Sequence, residues 1–107
     1  MIDTTHCEAS EPFALRVIGD DMLPEFEDGN IVIVDPGGLV KTGCYVVAKV
    51  GEETLLRQLH IDSSSYRLTA LQPGVTELVL ENGLNDIVGV ISQRSGRRRH
   101  QHKRYDL

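Results

Sequence analysis

The stretch FALRVIGDDMLPEFEDGNIVIVD, residues 13–35, decides how this chain folds. Its first part, Phe13–Ile18, alternates in the manner of a strand and stops at Gly19. Its last part, Asn30–Asp35, is β-branched and follows Glu27-Asp28-Gly29, a turn signal. Between them the chain places two adjacent carboxylates, Asp20 and Asp21, ahead of Met22-Leu23-Pro24. A bend of this shape is a natural place for a small nucleophile, and here the second aspartate stands in it.

The same punctuation continues outward. Pro36-Gly37-Gly38 closes the second strand, and Lys41–Gly43 turns the chain into Cys44–Val50. Gly51-Glu52 is a tight turn, so Glu53–Ile61 reads as the return strand of a hairpin. Tyr66–Leu71 alternates and ends at Gln72-Pro73-Gly74; Asp86–Ser92 is the last strand, with Gly89 as a bulge or close-approach point. Six short strands without a sustained 3.6-residue period predict a mainly β domain of mostly antiparallel strands. The only helical candidate is a turn around Asp21–Glu27, with Pro24 in its first turn.

At 107 residues, 40% hydrophobic and 25% charged, the chain is long enough for one modest core. No apolar run approaches the roughly 20 residues of a membrane span. The N-terminus has neither a basic leader nor an apolar core, which predicts a cytoplasmic location and no membrane contact. Cys7 and Cys44 are accordingly expected as free thiols. The net charge of −5 is split. Arg94, Arg97, Arg98, Arg99, Lys103 and Arg104 face a single acid, Asp106, whereas the preceding 93 residues hold five basic and 15 acidic side chains. The organisation expected is a loosely ordered segment at 1–12, a folded domain at 13–93 and a basic, flexible tail at 94–107. Such a tail is a solvated end or an arm for nucleic acid or an acidic partner.

Taken in order, strand, Gly-Asp-X-Met, X-Pro turn, Asp-Gly, Ile-Val-Ile-Val-Asp and a hairpin bearing a cation on its second strand, the chain resembles the self-cleaving peptidase domain of the LexA repressor, its UmuD relatives and the phage repressors. The resemblance runs from Phe13 to about Ile91 and takes in the later YRLTALQPG and DIVGVI. Bacterial signal peptidases share the core pattern but need a membrane anchor. The resemblance implies a LexA/signal-peptidase-like β-rich fold and a Ser-Lys dyad, in which a neutral lysine takes the proton of the attacking serine. It places that serine at Asp21 and that lysine at Arg57. A carboxylate has no hydroxyl proton to give, and guanidinium stays protonated at physiological pH. The expectation is therefore a pseudo-peptidase whose two former dyad positions face each other as an ion pair, joined through the planar fork of Arg57. Gly19, Asp20 and Met22 would shape the old turn, with Met22 buried beneath it. No Ala-Gly or Cys-Gly pair, the bond such proteins cut in themselves, occurs ahead of Asp21, and no helix-turn-helix is legible.

Other candidates are weaker. Asp20, Asp21, Glu25, Glu27 and Asp28 lack the spacing of a calcium loop, so no metal is expected, and no cofactor. Adjacent carboxylates on an extended chain point to opposite faces, which disfavours an aspartic dyad. His60 would lie on the other strand face from Arg57 and has no hydroxyl partner. Ser63, Ser64, Ser65, Ser92 and Ser95 occupy turns or flank the tail. Family members dimerise through their C-terminal strand, which makes Ile87, Val88, Val90 and Ile91 the candidate dimer strand, an apolar edge that should be covered. The leading expectation is a catalytically inactive regulatory or protein-interaction module, homodimeric, in transcription regulation or the SOS response. The alternatives are a residual or altered serine-type self-cleaving peptidase and a nucleic-acid-associated module acting through the tail.

Overall fold

Apolar alternation between turn residues becomes a single antiparallel sheet. The structure is a computed structural model that describes residues 11–63, 65–96 and 102–105. Among these, eight strands form the sheet: β1 (Phe13–Arg16), β2 (Ile31–Asp35), β3 (Tyr45–Val50), β4 (Glu53–Ile61), β5 (Tyr66–Thr69), β6 (Leu78–Val79), β7 (Ile87–Ser95) and β8 (Lys103–Arg104). Their spatial order is β1-β2-β7-β3-β4-β5-β6, with β8 paired to β7 beyond the end of β3. Six of them are the strands expected from the sequence; β6 and β8 are too short to carry a pattern. No helix among the described residues is long and apolar enough to cross a membrane.

Burial on both faces explains the continuous apolar runs, because a strand covered on each side has no polar face to show. Val17, Met22, Phe26, Val32, Val34, Val47 and Ile91 make one cluster. Val46, Ala48, Leu59, Leu68, Leu80 and Val90 make the other. Successive residues of β3 and β7 thus serve opposite sides of the sheet. Gly89 is a close-approach point as expected. A Cβ there would lie 2.6 Å from a Val34 methyl carbon and 2.9 Å from the Asp35 carbonyl oxygen, so only glycine lets β2 and β7 meet.

Three expectations are corrected. The Asp21–Glu27 candidate is a string of turns, closed by Leu23 N–H on Asp20 O at 3.2 Å and Phe26 N–H on Met22 O at 2.9 Å. Pro24 has no N–H to continue a helix. Among the described residues the helical turn that forms is a 3₁₀ turn at Gly83–Asp86.

Strand β7, expected at an unpaired edge, lies inside the sheet between β2 and β3. Val90 and Ile91 are 1% exposed, and of the four dimer candidates Val88 alone is well exposed, at 38%. The apolar run therefore answers to the core of this chain itself.

The tail does not start at Arg94 either. β7 continues through Arg94 and Ser95, and Lys103–Arg104 returns along it with Gln93 opposite Arg104 and Arg94 opposite Lys103. Arg97, Arg98 and Arg99 lie outside the described residues, as does most of the 1–12 segment.

Candidate functional site

The bend between β1 and β2 is fixed by its own backbone. Gly19 has φ +94°, a region other residues enter at a cost, and its N–H donates to Asp28 Oδ1 at 2.7 Å. Val17 N–H donates to Asn30 O and Gly29 N–H to Val17 O, both at 2.8 Å, which closes the base of the loop. Met22 and Phe26 are buried in the first core cluster, so the residues between them are held over it. The Asp21 carbonyl accepts the N–H groups of Leu71 and Gln72, each at 3.1 Å, and Gln72 Nε2 donates to Leu23 O at 2.7 Å. The segment after β5 thus braces the turn.

Asp21 and Arg57, 36 residues apart in sequence, meet here: Arg57 Nη2 donates to Asp21 Oδ2 at 3.2 Å. The geometry differs from the expected fork-to-fork pair. Arg57 Nη1 donates to the Leu56 carbonyl at 2.8 Å, so the two prongs serve different acceptors. The Arg57 side chain is 10% exposed and that of Asp21 is 55% exposed. Water at the carboxylate screens the attraction, which sets the pair near the value of an exposed ion pair. A double-mutant cycle of Asp21→Ala and Arg57→Met, read by urea unfolding, should give a coupling of about 0.5–1 kcal/mol. Arg57→Met alone should cost more than Asp21→Ala, since the buried guanidinium also holds a backbone carbonyl. A coupling of zero, or the reverse order of single-mutant costs, would discard this account.

Asp21 and Arg57 lie in the rim of a mainly apolar cleft of about 280 Å³, whose lining also includes Leu15, Val17, Met22, Val32, Val47 and Leu56. Chemically, the pair that borders it offers a carboxylate that accepts hydrogen bonds and a guanidinium that donates them. It contains no removable hydroxyl proton and no neutral amine.

The other candidates disperse. Asp20 is exposed in the turn. Asp28 caps Gly19, and among the described residues no three His, Cys, Asp or Glu side chains converge on one point. His60, expected to lack a hydroxyl partner, has one across the β4–β5 pair: its Nε2 is 2.8 Å from Thr69 Oγ1. Ser65 Oγ donates to Asp62 Oδ1, and Ser92 and Ser95 to the carbonyls of Ile33 and Ile31. Ser64 and Cys7 lie outside the described residues, and Cys44 is a half-buried free thiol.

One cluster went unread in the sequence. Glu25, at the far end of the turn, accepts Tyr105 Oη at 2.6 Å, Lys103 Nζ at 2.8 Å and Arg94 Nη1 at 3.2 Å, all on Oε2. Arg94 Nη1 also donates to the Glu25 backbone carbonyl. Tyr105 stacks on Phe26 with ring centroids 5.8 Å apart, and Tyr45 meets both rings edge-on. Burial alone would push the Glu25 carboxyl up, but hydrogen bonds from Lys103 and Tyr105, with the charges of Lys103 and Arg94, hold it below 4.5. The Tyr105 hydroxyl is raised, first by burial and then by its bond to that carboxylate. Two of the six tail cations are thereby turned inward to an acid, whereas Arg104 is exposed. The sole hint in the sequence is Tyr105 itself, a lone aromatic ring at the end of a basic run.

Comparison with known proteins agrees with this architecture. Residues 2–92 match the model of the Peptidase S24-like family. The LexA repressor of Desulfatibacillum aliphaticivorans is 34% identical over 68 residues, covering 63% of this chain and 34% of that protein. The prophage repressor CohE of Escherichia coli (strain K12) is 34% identical over 82 residues, covering 74% of this chain and 37% of that protein. The chain spans about a third of the length of these curated relatives.

Proposed function

The chain belongs to the Peptidase S24-like family, and we propose that within it this chain acts by binding, as a regulatory module of repressor type that cuts no peptide bond. The observation that carries the reading is the Asp21–Arg57 ion pair, which stands at the two positions the family resemblance assigns to nucleophile and base. An acyl transfer there would need an oxygen nucleophile that loses a proton and a neutral partner that takes it. A carboxylate bound to guanidinium supplies neither. Both relatives are named repressors, and a part in transcription regulation enters the proposal from them.

The competing reading is a residual or altered self-cleaving peptidase, and one incubation separates the two. Dyad-type self-cleavage accelerates as its lysine deprotonates, so purified protein held at alkaline pH should keep its full mass and remain unlabelled by a phosphonate probe for activated serines. A new fragment, or labelling that disappears on Arg57→Met, would overturn the proposal.

Association of two copies is part of the same proposal, since the resemblance implies it. It does not run through Val90 and Ile91, which are enclosed in the core. Size measurement at micromolar concentration tests it directly. No feature of the described residues favours the nucleic-acid reading of the tail, whose Arg94 and Lys103 are bound to Glu25.

A further inference from the structure

The turn that carries Asp21 is held at two ends by different parts of the chain. At the Asp21 end the hold is the segment after β5, through Leu71 and Gln72. At the Glu25 end it is the C-terminal return: Lys103 and Tyr105 bond the carboxylate, and Tyr105 N–H donates to Ser92 O at 2.8 Å, which anchors the return to β7. The Tyr105 ring closes over Phe26, four residues past Met22 in the same turn. Lys103 Nζ also sits 5.0 Å from the centre of that ring. The return itself is short, with two residues in register with β7. Its side-chain contacts therefore bear on the turn, and its strand pairing is slight.

From this arrangement we infer that Lys103–Tyr105 is a strap that sets the conformation of the Asp21–Phe26 turn, so that the chain end controls the segment bordering the apolar cleft. The side chains divide the labour. Tyr105 contributes ring area and a hydroxyl donor, Lys103 a charge, and Arg94, one strand away, grips the carbonyl and carboxylate of Glu25 together. Displacing the strap removes two donors from a partly buried carboxylate and uncovers Phe26. The turn is then held by Leu71, Gln72 and Arg57 at the Asp21 end and by Arg94 at the Glu25 end, without the ring and hydroxyl of Tyr105. The inference does not rest on the loss of catalysis, because it concerns what positions the turn and not what the turn does.

Amide hydrogen exchange on the full chain tests it. The reporters are the Leu23 and Phe26 amides, each bonded within the turn; the β3–β4 hairpin is the internal reference. Tyr105→Phe keeps the ring and removes the hydroxyl, Lys103→Ala removes the charge, and Arg104→Ala is the control, because the Arg104 side chain is exposed and its pairing with Gln93 is through the backbone. Tyr105→Phe should speed exchange at Leu23 and Phe26 by about fivefold or more and half-exposed Lys103→Ala by about twofold, with the hairpin unchanged and Arg104→Ala silent. Unchanged exchange in the turn would overturn the strap. So would equal acceleration in turn and hairpin, which would mean that the C-terminal return adds only to global stability.

Discussion

Replacing Val90 with aspartate should leave the chain without a stable folded state. Val90 is 1% exposed in the second core cluster, among Val46, Ala48, Leu59 and Leu68, with no polar partner for a carboxylate. The cost combines the lost packing of two methyl groups with a charge that must either stay unpaired or take up a proton. A sum of about 5 kcal/mol or more is comparable to the whole stability of a domain this size. Val88→Asp, two residues away in the bulge facing β3 and 38% exposed, should change stability by about 1 kcal/mol or less. Circular dichroism and urea unfolding read both. If Val88 belongs to an interface between copies, its aspartate variant will be folded and monomeric. A Val90→Asp protein with the parent's urea midpoint would show that β7 is not the interior strand described here.

The second large effect is expected at Glu25, where a single carboxylate collects three donors. Glu25→Ala should destabilise the chain by about 2–4 kcal/mol at neutral pH, because half-buried Arg94 and the Tyr105 hydroxyl lose their acceptor. Lys103, nearly half exposed, is hydrated again and adds little. The pH dependence follows from the direction of the shift. Glu25 sits below 4.5 in the folded chain, so the unfolded chain binds its proton at higher pH than the folded one. The stability it confers is complete above the ordinary carboxylate range and is lost as pH falls through the folded value. Glu25→Gln should therefore unfold more easily than the parent at pH 7 and approach it below about pH 4.5. At the alkaline end Tyr105 works in the opposite sense. Its raised hydroxyl keeps the neutral, donating form, and the stability this lends is lost only as pH climbs well above 10. Parallel acid limbs for parent and Glu25→Gln in urea unfolding at a series of pH values would remove the assignment.

The family and the candidate pair were legible because each depends on local order. Phe13–Ile18, the aspartate bend, Asn30–Asp35 and the cation at Arg57 follow one another along the chain, and a β pattern repeats every two residues. Which side chain is buried can then be read a few residues at a time, and Val32, Val34, Val46 and Leu59 all lie in the core. The meeting of Asp21 with Arg57 came from the family resemblance, and their bond bears it out in position. The detail of that bond was not legible: the second prong of Arg57 goes to Leu56 O, a backbone acceptor that no residue letter marks.

Local pattern alone carries the six longer strands, their order along the chain, the turns between them and the residue types standing at the bend and on the hairpin. Beyond the β3–β4 hairpin, the neighbours of each strand and the places where the charges go follow from the tertiary fold. An apolar strand such as Ile87–Ser95 looks the same whether its neighbours come from its own chain or from another, because alternation records that a face is covered and not by what. The strand is interior because β2 and β3 reach it from far away in sequence. A run of like charges likewise reads as a solvated end until an acid is placed within reach. Glu25 is 78 residues from Lys103 and 80 from Tyr105, and only folding β1, β2 and β7 together brings them within hydrogen-bonding distance. Once there, a partly buried carboxylate and the Phe26 ring supply the attraction that offsets the entropy of ordering the chain end, a balance no local pattern encodes.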